Sequence, residues 1–135
     1  MTERELANVT RSDLHGRSAA GAICLLPIGS LEQHGEHLPL LTDTLLAHTI
    51  CLRTAEICER DVLVAPPLWA GLSPHHLRFG ATVSLSPETF LTVVREVTQG
   101  LGALFSNVVV VNGHGGNRGL LSSLTLELGL RSIDY

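Results

Sequence analysis

At 135 residues with 44% hydrophobic side chains, the chain has the size and apolar content of a single domain with one core, spanning 1–135. Its net charge of −4 comes from 13 acids against 9 arginines and no lysine, with no basic cluster able to track phosphates, which excludes nucleic acid as a partner. Glu3, Glu5, Arg11, Asp13 and Arg17 leave no apolar heart for a signal peptide, and no run approaches the ~18 apolar residues of a membrane span, so a soluble, cytoplasmic protein is expected.

The first apolar run, 22–27, reads as a buried strand. It leads into E-Q-H-G-E-H over 32–37 and then Asp43. Residues 44–59 predict a helix with Leu46, Ile50, Ile57 and Cys58 near one face and Thr42 or Asp43 available as N-cap. A second short strand is expected over 62–65. The stretch 66–86, rich in Gly, Pro and His, reads as a long functional loop. Pro87 is preorganised for the first turn of a helix, and Glu88 complements its positive end; this helix runs to about residue 105, weakened by Gly100 and Gly102. The clearest strand is 108–111, flanked by Asn107 and Asn112, and a last helix is expected over 118–130.

Continuous apolar strands without alternation suit a parallel sheet covered on both faces, with the intervening segments as crossover helices. Sites in such sheets gather beyond the carboxyl ends of the strands. That rule brings Glu32, His34 and Asp43, after the first strand, towards His114, directly after the third. Cys24, Cys51 and Cys58 are odd in number and lie in apolar stretches, as expected of reduced core thiols.

Imidazole nitrogens and carboxylate oxygens suit divalent zinc, manganese or iron. Glu32 and His34 are two apart and share a face in an extended segment, and Asp43 could bridge two ions about 3.5 to 4 Å apart. Asp43 could also simply cap its helix while Glu32 is solvated. His114, within G-H-G-G over 113–116, could equally be a turn or anion-binding residue. His75 and His76 could contact substrate or shuttle a proton, or be solvated. Glu36 and His37 are either surface residues or partners that orient the ligands. His15 and His48 read as structural. The absence of a G-x-S-x-G elbow, a P-loop or a dinucleotide fingerprint argues against serine-hydrolase, nucleotide and nicotinamide chemistry.

From 26 to 119 the chain resembles the creatininase (creatinine amidohydrolase) family. The resemblance rests on L-P-I-G-S-L-E-Q-H-G-E-H-L-P-L over 26–40, T-D-T over 42–44, Ser73 with His76 and Phe79, T-V-S-L over 82–85, and V-N-G-H-G-G-N over 111–117. It implies a three-layer αβα fold with a mostly parallel sheet, incomplete here at its C-terminal side, and a homo-oligomer. It also implies two divalent metal ions, zinc, manganese or iron. Glu32 and His114 would bind one, His34 the other, and Asp43 would bridge them. A metal-bound water would attack the amide carbon of a small cyclic or linear substrate and break its carbon–nitrogen bond; apart from the resemblance, His76 stands as a candidate catalytic residue from its own loop chemistry. The family's glutamate ligand two places beyond the loop histidine is Gly116 here, which leaves the second site short of a donor. The order F-G-A-T over 79–82 departs from a more usual F-x-G-T.

Within the family, N-G-H-G-G-N also resembles formamide hydrolases and a mycofactocin-type peptidase. The competing class is a non-catalytic truncated homologue serving as a metal-binding or assembly module, for which an exposed sheet edge and self-association are expected.

Overall fold

The computed structural model describes the backbone over residues 3–134 and side chains as far as residue 130. Four strands, β1 (Ile23–Ile28), β2 (Val62–Val64), β3 (Asn107–Asn112) and β4 (Arg131–Asp134), form one sheet in the order β2-β1-β3-β4, every pair parallel. Helices α1 (Arg11–Ala19), α2 (Thr42–Ile57), α3 (Pro87–Gly102) and α4 (Arg118–Leu128) connect and cover them. β1 lies in the middle and is paired along its whole length with β3, from Ile23 against Asn107 to Ile28 against Asn112.

The unbroken apolar strands have a direct cause. Successive side chains leave a strand on opposite faces, and here both faces are packed. Cys24, Leu26 and Ile28 of β1, with Leu63, Val108 and Val110, meet Phe90, Val94 and Leu101 of α3 and Leu121 and Leu124 of α4. Leu25, Val62, Val64 and Val111 point the other way, against Cys51 and Ala55 of α2. The result is a three-layer α/β architecture with an open parallel sheet.

Helix α2 turns a different face to the sheet from the one its large apolar residues suggest. Ala47, Cys51 and Ala55, four residues apart, are fully buried, whereas Leu46, Ile50 and Ile57 are exposed. Small side chains let the helix axis approach the strands closely, and shape complementarity wins over hydrophobic size. The N-cap of α2 is Leu41, neither Thr42 nor Asp43; Thr42 Oγ1 donates instead to the Pro39 carbonyl at 2.6 Å. Its first turn rests on the end of β1, where Thr44 Oγ1 donates to the Ser30 carbonyl at 3.0 Å. A Cβ on Gly29 would collide with the Thr44 backbone, so this glycine sets how closely the turn can sit.

Three further elements depart from expectation. Helix α1 begins at Thr10, whose Oγ1 accepts the Asp13 N–H at 3.3 Å, a T-x-x-D cap visible in the sequence but not read there. Helix α4, expected to reach 130, stops at Leu128 because Gly129 adopts φ +64°, a left-handed cap, and residues 131–134, for which no element was expected, form the fourth strand. The 66–86 loop is pinned: Leu68 pairs with Ile28, Gly71 with Ser84, and Val83 with Leu31, with a short 3-10 turn at Leu77–Phe79.

On the β2 side the sheet edge is covered by the N-terminal segment, where the Arg4 carbonyl accepts the Val64 N–H at 2.8 Å and Arg17 Nε donates to Asp61 at 2.7 Å. Burial pushes the Cys24 and Cys51 thiols up to about 12, consistent with inert core residues. No helix among the described residues is long and apolar enough to cross a membrane.

Gly29→Ala is expected to lower stability by about 2 kcal/mol through overpacking against α2, whereas Gly100→Ala, facing open space on α3, should raise it by about 0.5 kcal/mol. Urea unfolding midpoints of the two variants should therefore move in opposite directions.

Candidate metal centre

Four segments converge beyond the carboxyl ends of β1 and β3. Glu32, His34 and Asp43 come from the turn after β1 and the start of α2, His114 from the glycine loop after β3, and His75 and His76 from the pinned 66–86 loop. Their placement is fixed from beneath by Asn117, which is fully buried. Its Nδ2 donates to the Gly29 carbonyl at 3.0 Å and to Asn112 Oδ1 at 3.2 Å, and its Oδ1 accepts the Leu72 N–H at 2.9 Å. Asn112 in turn donates to the His114 carbonyl at 2.9 Å and accepts its N–H at 3.2 Å.

Asp43 sits between two imidazoles. Its Oδ1 lies 2.9 Å from His34 Nε2 and its Oδ2 lies 2.7 Å from His114 Nδ1. Each ring spends its other nitrogen on a backbone carbonyl, which can only accept: His34 Nδ1 donates to the Glu32 carbonyl at 3.0 Å, and His114 Nε2 to the Leu72 carbonyl at 2.9 Å. The nitrogens facing Asp43 must therefore carry an additional proton or yield their lone pairs to a cation. A ring held by a carbonyl on its outer nitrogen is the usual support of a metal-ligating histidine. Ser73 Oγ, 3.2 Å from His114 Nε2 and 2.5 Å from Ser30 Oγ, braces the same ring.

Glu32 completes the arrangement. It is only 5% exposed, its Oε1 is 3.5 Å from His114 Nδ1, and its Oε2 is buried without a hydrogen-bond partner. A buried carboxylate oxygen left bare is costly unless something absent from the polypeptide satisfies it. Glu32, His34 and Asp43 offer ligand atoms all within 4.8 Å of one another, as do Glu32, His75 and His114. Hard carboxylate and borderline imidazole donors of this kind fit a divalent cation such as zinc or manganese.

The electrostatics agree with that fit. Burial works against charge on both rings, but hydrogen bonds donated to the Glu32 carbonyl and Asp43 raise His34, and those donated to Asp43 and the Leu72 carbonyl raise His114. Burial also opposes charge on Asp43, and the two histidines outweigh it, so its carboxyl lies below the usual range.

The structure thus brings Glu32, His34, Asp43 and His114 into one cluster. His76 stands at its rim, Nε2 3.7 Å from Glu32 Oε1. Glu36 and His37 are exposed, and the supporting role open to them falls instead to backbone carbonyls that leave no trace in side-chain identity. Glu127 is exposed and pairs with Arg95 at 3.1 Å, far from any ligand role. Sequence reading passed over Gln33, Ser73 and Asn117. Serine and amide side chains signal nothing by spacing alone, although all three lie inside the motifs already noted.

The creatininase family model, described as creatinine amidohydrolase, matches residues 7–135. The chain belongs to the creatininase family. It is 37% identical over 135 residues to the mycofactocin precursor peptide peptidase of Mycobacterium tuberculosis, covering 93% of this chain and 51% of that protein. It is 31% identical over 137 residues to the creatinine amidohydrolase of Pseudomonas putida, covering 96% and 52%. A crystal structure of creatinine amidohydrolase superposes with a TM-score of 0.86 at 27% identity, over 100% of this chain and 58% of that one. Other matching creatininases are described as an Mn form and a Zn-Zn type. The chain thus spans about half the length of the relatives it matches.

Asp43→Asn is expected to weaken binding of every cation at the cluster while leaving the α2 cap intact, since Leu41 holds that position; unchanged metal content by elemental mass spectrometry would sink this reading. In chelator, the histidines' share of stability is present below their ordinary 6.5 and is lost as pH rises through their raised values. The Asp43 share is present above 3.8 and is lost as pH falls through its depressed value. Urea midpoints of the metal-free protein should accordingly peak between those two limits, and Asp43→Asn should flatten the profile.

Proposed function

We propose that this creatininase-family chain is a metal-dependent amidohydrolase that cleaves a carbon–nitrogen bond of a small cyclic or linear amide. The observation that carries this reading is Asp43 set between two imidazole nitrogens whose outer nitrogens are already committed, beside a buried Glu32 oxygen with no partner. Glu32 and His114 would hold one divalent cation, His34 the other, and Asp43 would span both. Bound there, the two cations would polarise the amide carbonyl and acidify a water molecule.

The remaining chemistry falls to the chain itself. Gln33 Oε1 accepts the Gly35 N–H at 3.0 Å, which turns Gln33 Nε2 towards His76 Nδ1, also at 3.0 Å. That contact makes His76 Nδ1 the acceptor and leaves the proton on Nε2, facing Glu32. A half-buried imidazole so oriented can deliver a proton to the departing nitrogen and take it up again from water. The carboxylates of Glu32 and Asp43 balance the positive charge at the centre, and the two histidines hold Asp43 below its usual range.

A peptide amide is the second reading within this reaction class. The higher identity to the mycofactocin precursor peptide peptidase, 37% against 31% for the creatinine amidohydrolase, favours it.

Full-length chain purified without chelator should carry close to two metal ions and release amine from one class in a panel of creatinine, N-formyl compounds and short peptides. His114→Ala should lose both metal and hydrolysis. Metal-free protein, or metal content unaltered in the variant, would instead identify a non-catalytic homologue.

A further inference from the structure

We propose that residues 74–81 form a lid over the metal centre and that Gln33 is the positioning residue that latches it shut through His76. What closure does for catalysis rests on the function proposed above; the lid and its latch do not.

Both ends of the stretch are anchored. The Ser73 N–H donates to Ser84 Oγ at 2.9 Å, the Val83 N–H donates to the Leu31 carbonyl at 2.9 Å, and Thr82 Oγ1 accepts the Gln33 N–H at 3.3 Å. Between these anchors the chain stands clear of the core. Every residue of it except His76 is exposed, with the apolar side chains of Leu77 and Phe79 at 52% and 58%. Its backbone hydrogen bonds turn inward, from the His76 N–H to the Ser73 carbonyl, from Phe79 to His76 and from Gly80 to Leu77. A segment with so little buried surface and so few outward bonds opens at the low end of a protein's stability range.

One side chain holds it down. Gln33 Nε2 donates to His76 Nδ1 at 3.0 Å, and among the described residues this is the one side-chain hydrogen bond from 74–81 to a distant segment. Gln33 is itself fixed, because its Oε1 accepts the Gly35 N–H at 3.0 Å and its own N–H is held by Thr82. The contact draws His76 in until its Nε2 lies 3.7 Å from Glu32 Oε1.

The far end of the lid opposes closure. Gly80 and Ala81 follow one another in the left-handed region, at φ +75° and +47°, and Ala81 is the one non-glycine residue with positive φ among the described residues. A Cβ is disfavoured in that conformation, and backbone strain of this kind persists only where the surroundings impose it. The latch thus holds the lid against a strained hinge. Opening would carry His76 away from Glu32 and admit substrate; closure would return the imidazole and restrict water.

Arg78 places a trypsin site inside the lid. The Leu77–Phe79 turn must open before that bond can be cut, so the cutting rate follows the open fraction. In the full-length chain, Gln33→Ala should be cut after Arg78 about fivefold faster than the wild type, as loss of one hydrogen bond implies. Gln33→Glu should restore the wild-type rate, since one carboxylate oxygen can take the Gly35 N–H and the other can accept from His76 Nδ1. His76→Ala should match Gln33→Ala, and the double variant should be cut no faster than either. Ala81→Gly, which relieves the hinge, should be cut about fivefold more slowly. Cuts after Arg53 in α2 and Arg95 in α3 require those helices to unfold and should stay at the wild-type rate throughout.

An unaltered rate at Arg78 in Gln33→Ala, no rescue by Gln33→Glu, or effects that add in the double variant would overturn the latch. Faster cutting of Ala81→Gly would overturn the hinge. Should Gln33→Ala unfold, seen as a matching rise at Arg53 and Arg95, His76→Ala and Ala81→Gly decide by the same criteria. The expected cleavage pattern in a chain that hydrolyses no amide would overturn the proposed function and leave the lid standing.

Discussion

The buried amide of Asn117 is the contact on which the site depends. Three segments far apart in the chain, the end of β1, the 66–86 loop and the end of β3, meet at one side chain that satisfies a carbonyl from the first, an N–H from the second and an amide oxygen from the third. A parallel sheet aligns the ends of its strands but does not by itself fix the loops that leave them. Here a fully enclosed polar group does, and a buried polar group that is completely satisfied specifies one arrangement because every alternative leaves a bare donor or acceptor.

Upon that base the charged groups are arranged so that none is self-sufficient. Asp43 holds two imidazoles, each anchored from behind by a carbonyl, and Glu32 is enclosed with one oxygen unanswered. A polypeptide evolved only for stability would fill such a place with apolar side chains, which tolerate burial better than isolated carboxylates. The cost is retained where ligand chemistry requires it. The fold absorbs that cost with the apolar packing on both faces of the sheet, away from the carboxyl ends of the strands.

Much of this was legible in the sequence. The β-branched runs announce buried parallel strands because both faces of the sheet are packed, and the rule placing sites at strand carboxyl ends brings Glu32, His34, Asp43 and His114 together from the sequence alone. What escaped reading has physical reasons. The sheet-facing side of α2 is made of Ala47, Cys51 and Ala55, whose smallness is the point of contact, whereas hydrophobic periodicity weights the larger Leu46, Ile50 and Ile57 that face outward. β4 follows a left-handed glycine at residue 129 that, from sequence, could as well be tolerated within a helix. Backbone carbonyls that orient His34 and His114 have no sequence signature at all.

The strand order also governs when the centre can exist. Each neighbour of β1 lies far along the chain, Val62 on one side and Asn107 on the other, so no part of the sheet closes by a local hairpin. Pairings of this kind need long loops to be brought together before any contact repays the lost entropy, and they form slowly. Glu32, His34 and Asp43 are close in the chain and can gather early, whereas His114 arrives only when β3 has docked beside β1. The centre is therefore assembled in time as well as in space, with an early half that precedes the finished sheet and a late half that certifies it.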